Sequence, residues 1–577
     1  MAVTLKYILV CVVIICANVK ADKSTYKICV PKQYLKACEE MLEVPTKSKV
    51  SLECVPARDR VQCLGFVQQR QADLVPTDPE DMYVASKMPN QDFVVFQEYR
   101  TDEEPDAEFR YEAVIVVHKD LPIKSLDELK GLKSCHTGVN RNVGYKLPVG
   151  TTPASESPEN PDEFAYLCVD GSKVPIRGKP CTWAARPWQG LIGHQDVLAK
   201  LTPLREKIKQ LADSGASSKP EWFLNVLGLS EKIHHVADNI PIKPADYLKK
   251  ANYTEVIERG HGPPEPVVRL CVTTYLALEK CRLMSVFAFS RDIRPRIDCV
   301  QEESEDACLK SVQDNGADLA AVDDMRVASA SKQYNLHPVF HEVYGDKKTP
   351  NYAVAVVKKD SNVNKIEDLR GKRSCHNSFG SFSGLAAPLF YLINKKLINS
   401  DQCVKNLGDF FSGGSCLPGV DKPENNPRGE DVSNMKKRCS GDGSALQCLQ
   451  NNGDVAFVSS ADLSKFDGSQ YELLCLNRES GGRDSFANFA TCNVVMSPSR
   501  TWLSAKDFLS DVSIAHAPLS LAELLDTRSD LFNIYGEFYK NNNVLFNNAA
   551  RGLVTTEKLD FEKFKTIHDV LSTCGIA

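Results

Sequence analysis

The chain has 577 residues, 42% of them hydrophobic and 25% charged. That is an ordinary globular composition, with room for roughly two to four domains. The formal net charge of −5 offers no basic face, so a nucleic-acid partner is excluded from the expectations.

At the N-terminus Lys6 precedes the apolar run YILVCVVIICA (7–17), and VKA (19–21) puts small residues at positions −3 and −1 of a cut after Ala21. This is the pattern of a secretory signal over 1–21. The run falls short of the roughly 20 residues of a membrane span. No later segment could span a bilayer, so the mature chain is expected to be soluble, extracellular and without a membrane partner. Losing the leader removes Cys11 and Cys16 and leaves 19 of 21 cysteines. So many in a secreted chain suggest a disulfide framework, and an odd number leaves at least one thiol without an intramolecular partner.

The mature chain then repeats itself. Cys29, Cys38, Cys54 and Cys63 stand at gaps of 9, 16 and 9, and Cys271, Cys281, Cys299 and Cys308 at gaps of 10, 18 and 9. ADLVPTDPEDM (72–82) is answered by ADLAAVDDM (317–325), and YEAVIVVHKD (111–120) by YAVAVVKKD (352–360). SLDELKGLKSCH (125–136) is answered by KIEDLRGKRSCH (365–376). Blocks matching in one order indicate duplication. They predict lobes at 22–250 and 268–577, with a linker at 251–267 inside the Pro- and Gly-rich ERGHGPPEPVVR (258–269).

Each lobe reads locally as α/β. AVIVV (113–117) and AVAVV (353–357) are continuous apolar runs, as strands covered on both faces require. Ser125 and Glu128 suggest a capping box, Gly131 a helix stop, and KSCH (133–136) a short strand before a further helix. Strands alternating with helices imply largely parallel sheets, whose ligands sit beyond strand ends near helix N-termini.

A helix beginning near Thr137 would offer free N–H groups. Arg141, one turn on, can fork two N–H groups onto an oxyanion, and Gly138 and Gly144 let that anion approach the backbone. An ordinary capped helix with a solvated arginine reads this stretch equally well. Two neighbouring residues favour the anion nest: Asp78, in a loop after ADLVP, and Tyr111, just ahead of AVIVV. A carboxylate, a phenolate and a carbonate-like anion form a hard oxygen set suited to ferric iron. Tyrosine ligates only when the metal displaces its proton.

The order TDPEDMY, YEAVIVV, SCHTGVNR and CTWAARPWQG, followed by GDVAFV (453–458) and YELLCL (471–476), resembles the transferrins, and CTWAARPWQG the insect-type ones. The resemblance covers nearly the whole mature chain. It implies a secreted, monomeric bilobal iron carrier, with each lobe two α/β subdomains containing mixed sheets and like periplasmic binding proteins. It also implies one ferric ion and a synergistic carbonate per lobe, no enzymatic activity, and a cell-surface receptor whose identity is open. By that pattern Asp78 and Tyr111 fall at metal positions. Thr137, Arg141 and the amides of Val143 and Gly144 fall at carbonate positions.

The departures are as informative. Gln189 stands at the histidine position of the first lobe. Cys375 and Cys475 are 100 residues apart, but their counterparts Cys135 and Cys168 only 33. About 67 residues are therefore expected to be lacking between 150 and 163, the second tyrosine ligand among them. Tyr166 is no substitute, because it matches Tyr471. The resemblance and the duplication imply the pairs Cys29–Cys63, Cys38–Cys54, Cys168–Cys181, Cys271–Cys308, Cys281–Cys299, Cys375–Cys448 and Cys475–Cys492. Cys403, Cys416, Cys439 and Cys574 pair among themselves in an undecided way, and Cys135 is left alone. In the second lobe Asp323 keeps the carboxylate position. Asn351, Asn377, Ser381, Asp442 and Arg500 replace the remaining ligands, with Tyr352 displaced by one residue, so no iron is expected there.

Other constellations carry less. Cys135 and His136, adjacent on an extended segment, point to opposite faces and cannot pair as nucleophile and base. His234, His235 and His261 lack metal spacing, Asn252 in NYT fits a glycosylation sequon, and LAELLDTRSDLF (521–532) reads as a core-packing helix. Two functions compete: iron transport, storage or sequestration from microbes through the first lobe, and a metal-free transferrin-fold protein acting as a binding or inhibitory partner.

Overall fold

The structure is a computed structural model. It describes residues 25–89, 92–103, 105–125, 127–133, 161–177, 179–258, 266–344, 351–426, 428–437, 439, 444–505, 513–556 and 561–576. Two compact units emerge. The first is Met1–Glu265 with Val286–Ile293 and Arg528–Asn533, and the second is Pro266–Ser285, Arg294–Thr527 and Ile534–Ala577. Two short pieces of the second repeat are thus built into the first unit, where Phe287 and Phe532, both wholly buried, bring their rings to 5.3 Å.

The first unit's strands are β1 (Thr25–Pro31), β2 (Ser51–Ala57), β3 (Leu74–Thr77), β4 (Phe93–Arg100), β5 (Tyr111–Ala113), β6 (Ile115–His118), β7 (Phe164–Leu167), β8 (Lys173–Pro175), β9 (Ala184–Arg186), β10 (Gly190–His194) and β11 (His235–Ile242). Six of them form one sheet in the order β11-β4-β10-β3-β1-β2. β1 runs parallel to β2 and β3, because a helix carries the chain back between each pair: Leu35–Leu42, then Arg60–Gln68. β10 and β11 enter antiparallel, so the sheet is mixed, and the largely parallel expectation holds only for its β3-β1-β2 half. Helix Leu201–Gly215 lays Leu204, Ile208 and Leu211, one stripe at helical spacing, against Tyr26, Ile28 and Phe96.

The second unit's strands are β12 (Val267–Val272), β13 (Arg296–Gln301), β14 (Leu319–Val322), β15 (His337–Val343), β16 (Tyr352–Lys358), β17 (Ser374–His376), β18 (Ser415–Cys416), β19 (Val455–Ser459), β20 (Tyr471–Leu474), β21 (Arg483–Asp484), β22 (Val495–Met496), β23 (Thr501–Ser504) and β24 (Gly552–Thr555). One sheet runs β13-β12-β14-β23-β15-β24. Position by position it repeats β2-β1-β3-β10-β4-β11, so the duplication is architectural as well as sequential. The other runs β18-β17-β19-β16-β20-β21, with β22 also on β16.

The two apolar runs part company here. In β16 residues 353–357 are fully buried, between β19 on one edge and β20 on the other. The first copy breaks at Val114. β5 pairs only with β9, and β6 only with β7 among the described residues. Burial in β6 alternates, with Ile115 and Val117 inside and His118 exposed, so it is not a strand covered on both faces. Among the described residues nothing stands where β17 and β19 stand in the second copy. Nearby, the expected capped helix is one turn, Asp127–Leu129, with Glu128 accepting from the Lys124 amide at 3.0 Å. The helix expected over 521–532 runs Ser513–Thr527. It buries Leu521 and Leu525 and ends before residue 528.

Nine disulfides close the described chain. In the first unit they are Cys29–Cys63, Cys38–Cys54 and Cys168–Cys181. In the second they are Cys271–Cys308, Cys281–Cys299, Cys375–Cys448 and Cys475–Cys492. The four cysteines left open pair as Cys403–Cys574, 171 residues apart, and Cys416–Cys439.

β15 lies between β23 and β24, so His341 and Glu342, consecutive and on opposite faces, are both buried. Burial lowers His341 from 6.5 to about 4 and raises Glu342 from 4.5 to about 7. Glu342 therefore takes from stability as pH climbs from 4.5 through about 7, and His341 takes from it as pH falls from 6.5 toward about 4. Glu342→Gln can keep an oxygen acceptor for Tyr344 Oη and the Asn547 amide. It should raise the calorimetric unfolding midpoint at about pH 8, by an amount equivalent to at most about 3 kcal/mol, and change little at about pH 5. Equal shifts at both pH values would show that ionisation of this carboxyl is not what costs stability.

Candidate metal and anion site

Asp78 sits where β3 ends and helix Pro79–Ser86 begins. Its extended backbone (φ −90°, ψ 169°) and the proline at the first helical position make it the N-cap, and its Oδ1 accepts from the Asp81 amide at 2.7 Å. The carboxylate also lies 3.6 Å from Arg60 Nη1 and 3.6 Å from Arg291 Nη2. Both guanidinium groups bind Asp81, which is wholly buried, at 3.2 Å and 2.5 Å. Burial alone would lower Arg60, but Asp81, Asp78 and Asp530 outweigh it and its pKa is raised; Asp81, Asp78 and Glu80 do the same for Arg291. Asp78 thus starts from a cationic setting.

Tyr111 opens β5, is 43% exposed, and has the Arg110 guanidinium 5.0 Å from its ring centre. Across the β5–β9 ladder it faces Arg186. Arg186 grips both carboxylate oxygens of Glu80 and reaches Tyr253 Oη at 2.6 Å. Glu80 is two residues from Asp78, so this bond ties the strand carrying Tyr111 to the helix that Asp78 caps. Sequence reading missed Arg186, although it lies inside the quoted CTWAARPWQG. It also missed Arg60 and Arg291, for which no local signal exists. Gln189 turns its amide to the Gly228 carbonyl at 2.5 Å.

Thr137, Arg141, Val143 and Gly144 lie outside the described residues, as do Cys135, His136 and His261. Among the described residues no group of three or more His, Cys, Asp or Glu side chains could hold a metal ion. The two candidate donors, phenol and carboxylate, would need further oxygens, and an exogenous anion is one source of them.

In the second unit Asp442 lies outside the described residues, and the matching positions that are described make self-contained contacts. Asp323 caps nothing with its side chain and pairs with Arg500 at 3.5 Å. Tyr352 packs its ring on Phe489 at 5.9 Å. Asn377 donates to Asp462 at 3.0 Å, and Ser381 accepts from the Gly384 amide at 3.1 Å. β7 on β6 and β20 on β16 are equivalent strands, but Tyr471 stands opposite Lys358 where Phe164 stands opposite His118, so Tyr166, opposite Val116, does not match Tyr471 as expected.

Comparison with known proteins agrees with this architecture. The family model described as Transferrin matches residues 27–158 and 268–572. A transferrin of Manduca sexta is 67% identical across 99% of this chain and 99% of its own length. That alignment runs over 677 positions against 577 residues here, so at least 100 of them have no residue in this chain. A transferrin of Blaberus discoidalis is 36% identical across 95% of each chain. The solved structure of transferrin 1 from Manduca sexta superposes with a TM-score of 0.80 at 66% identity, covering 96% of this chain and 100% of that one. The chain belongs to the transferrin family, in its insect form.

Proposed function

We propose that this transferrin carries ferric iron in its first unit, with Tyr111 and Asp78 as oxygen donors. A carbonate would be held by Thr137, Arg141 and the amides of Val143 and Gly144. Transferrins are iron-binding transport proteins without enzymatic activity, and the finer assignment rests on one observation. Arg186, opposite Tyr111 in the ladder, grips Glu80 beside Asp78, and so links the phenol and carboxylate elements. The iron is cargo. Tyr111 would meet it as phenolate, and the anion would fill positions that the protein leaves open. About 67 of the positions that the Manduca sexta transferrin fills and this chain lacks are assigned to the stretch between 150 and 163. That leaves Cys135 unpaired and the second tyrosine ligand absent, and makes binding weaker than in a complete lobe. The second unit is assigned no iron, since its Asn377, Ser381 and Arg500 are engaged with the protein itself.

Secretion is supported by nine disulfides, which persist in oxidising compartments. Among the described residues no helix is long and apolar enough to cross a membrane. Transport, storage and sequestration from microbes all need the same reversible iron site. A metal-free binding or inhibitory role is favoured by one observation, the arginine pairs already on Asp78.

Titration with ferric nitrilotriacetate and bicarbonate decides between them. Iron should raise a visible tyrosinate charge-transfer band. Tyr111→Phe should abolish it, and Asp78→Asn should weaken affinity by about tenfold, about 1.4 kcal/mol. A colourless wild type would leave the metal-free role standing.

Protons compete for the phenolate, the carboxylate and the carbonate, so the band should fade on acidification. Iron still bound in strong acid would contradict this ligand set.

Asn252 is exposed in a turn at φ +50°, between helices Pro244–Lys250 and Tyr253–Glu258. Its Nδ2 donates to the Trp183 carbonyl at 3.2 Å, a bond that one remaining N–H could keep under a glycan. Peptide-N-glycosidase should lower the mass of the secreted protein, and Asn252→Gln should remove that shift. An unchanged mass would show the sequon unused.

A further inference from the structure

The second unit contains a cavity of about 380 Å³ at the end of β12, within the range of roughly 300–1,000 Å³ typical of small-molecule sites. Its charged wall residues are already matched: Arg500 lies 3.5 Å from Asp323, and Glu305 lies 2.9 Å from Arg326. Each wall charge thus has an opposite charge beside it, while the buried Arg500 Nε keeps an unused donor, an arrangement that suits a neutral guest carrying acceptors.

The other polar wall groups alternate acceptor and donor. Asn541 gives its Nδ2 to the Tyr539 carbonyl at 2.9 Å and keeps its Oδ1. Asn542 accepts at Oδ1 from Asn548 at 2.7 Å and keeps its NH₂ group. Just beyond β12 the Thr274 hydroxyl accepts from the Ala277 amide at 3.1 Å and keeps its proton to donate. Adjacent donors and acceptors of this kind match vicinal hydroxyls, each of which both gives and takes a hydrogen bond.

The asparagine wall is also strained. Tyr539 (φ 47°), Lys540 (63°), Asn543 (57°) and Leu545 (72°) all adopt the left-handed region without being glycine. Such residues concentrate in ligand clamps.

We propose that this cavity binds a neutral saccharide, either a free sugar or the terminal unit of a glycan. The proposal goes beyond iron carriage and stands whether or not the first unit loads metal. The test uses the full-length protein. Saturation-transfer NMR with millimolar glucose, galactose, mannose or N-acetylglucosamine reads free sugars, and a glycan array reads attached ones. Binding in at least one arm is expected. Response to free sugars identifies a soluble guest, and response on the array alone identifies a glycan. Asn541→Ala with Asn542→Ala should reduce the signal at least about fivefold, and so should Thr274→Val just beyond β12, which leaves the strained loop untouched. Silence in both arms would overturn the proposal. So would a signal undiminished in both variants, or saturation transfer to glycine or serine but to no sugar.

Discussion

A strand inside a sheet must have both of its hydrogen-bonding edges filled, because a buried amide or carbonyl without a partner costs about as much as a lost hydrogen bond. β16 meets that condition. β19 and β20 flank it, and residues 353–357 can be wholly apolar and wholly buried. The homologous run 113–117 has nearly the same side chains but fewer described neighbours, and it breaks into β5 and β6. Side-chain hydrophobicity qualifies a segment for the centre of a sheet, and the availability of neighbouring strands decides whether it gets there. The placement of Tyr111 follows from this. It stands exposed at the start of a short strand, held through Arg186 to the helix that Asp78 caps.

The second organising feature is a buried patch of opposite charges. Asp59 and Asp81 are wholly buried, which is tolerable only because arginines reach them. Arg291 belongs by sequence to the second repeat but by packing to the first unit, and Asp530 does likewise through Arg60. Asp78 lies at the edge of this patch. A metal seeking its carboxylate therefore competes with two guanidinium groups.

The duplicated sites show how a shared frame diverges. The carboxylates at 78 and 323 each end the third strand of matching sheets. One caps a helix and the other faces Arg500 without capping. Ser381 serves the local backbone where the first copy has Arg141. In the second unit the described residues at the matching positions are engaged in internal contacts.

Much of this was legible in the chain. Blocks repeating in order marked two copies of one sheet, and their strands align position by position. The apolar run 353–357 read correctly as a buried strand, because burial on both faces leaves a continuous pattern. The motifs that resemble transferrins also mark Asp78 and Tyr111. What the chain could not disclose is partnership across distance. Arg291 meets Asp81 across 210 residues, and Cys403 meets Cys574 across 171. The break at Val114 goes with the absence, among the described residues, of strands where β17 and β19 stand in the second copy. Periodicity and capping are local and are written in neighbouring residues. Which buried charge meets which, and which strand fills an open edge, is settled only when distant segments compete for the same space.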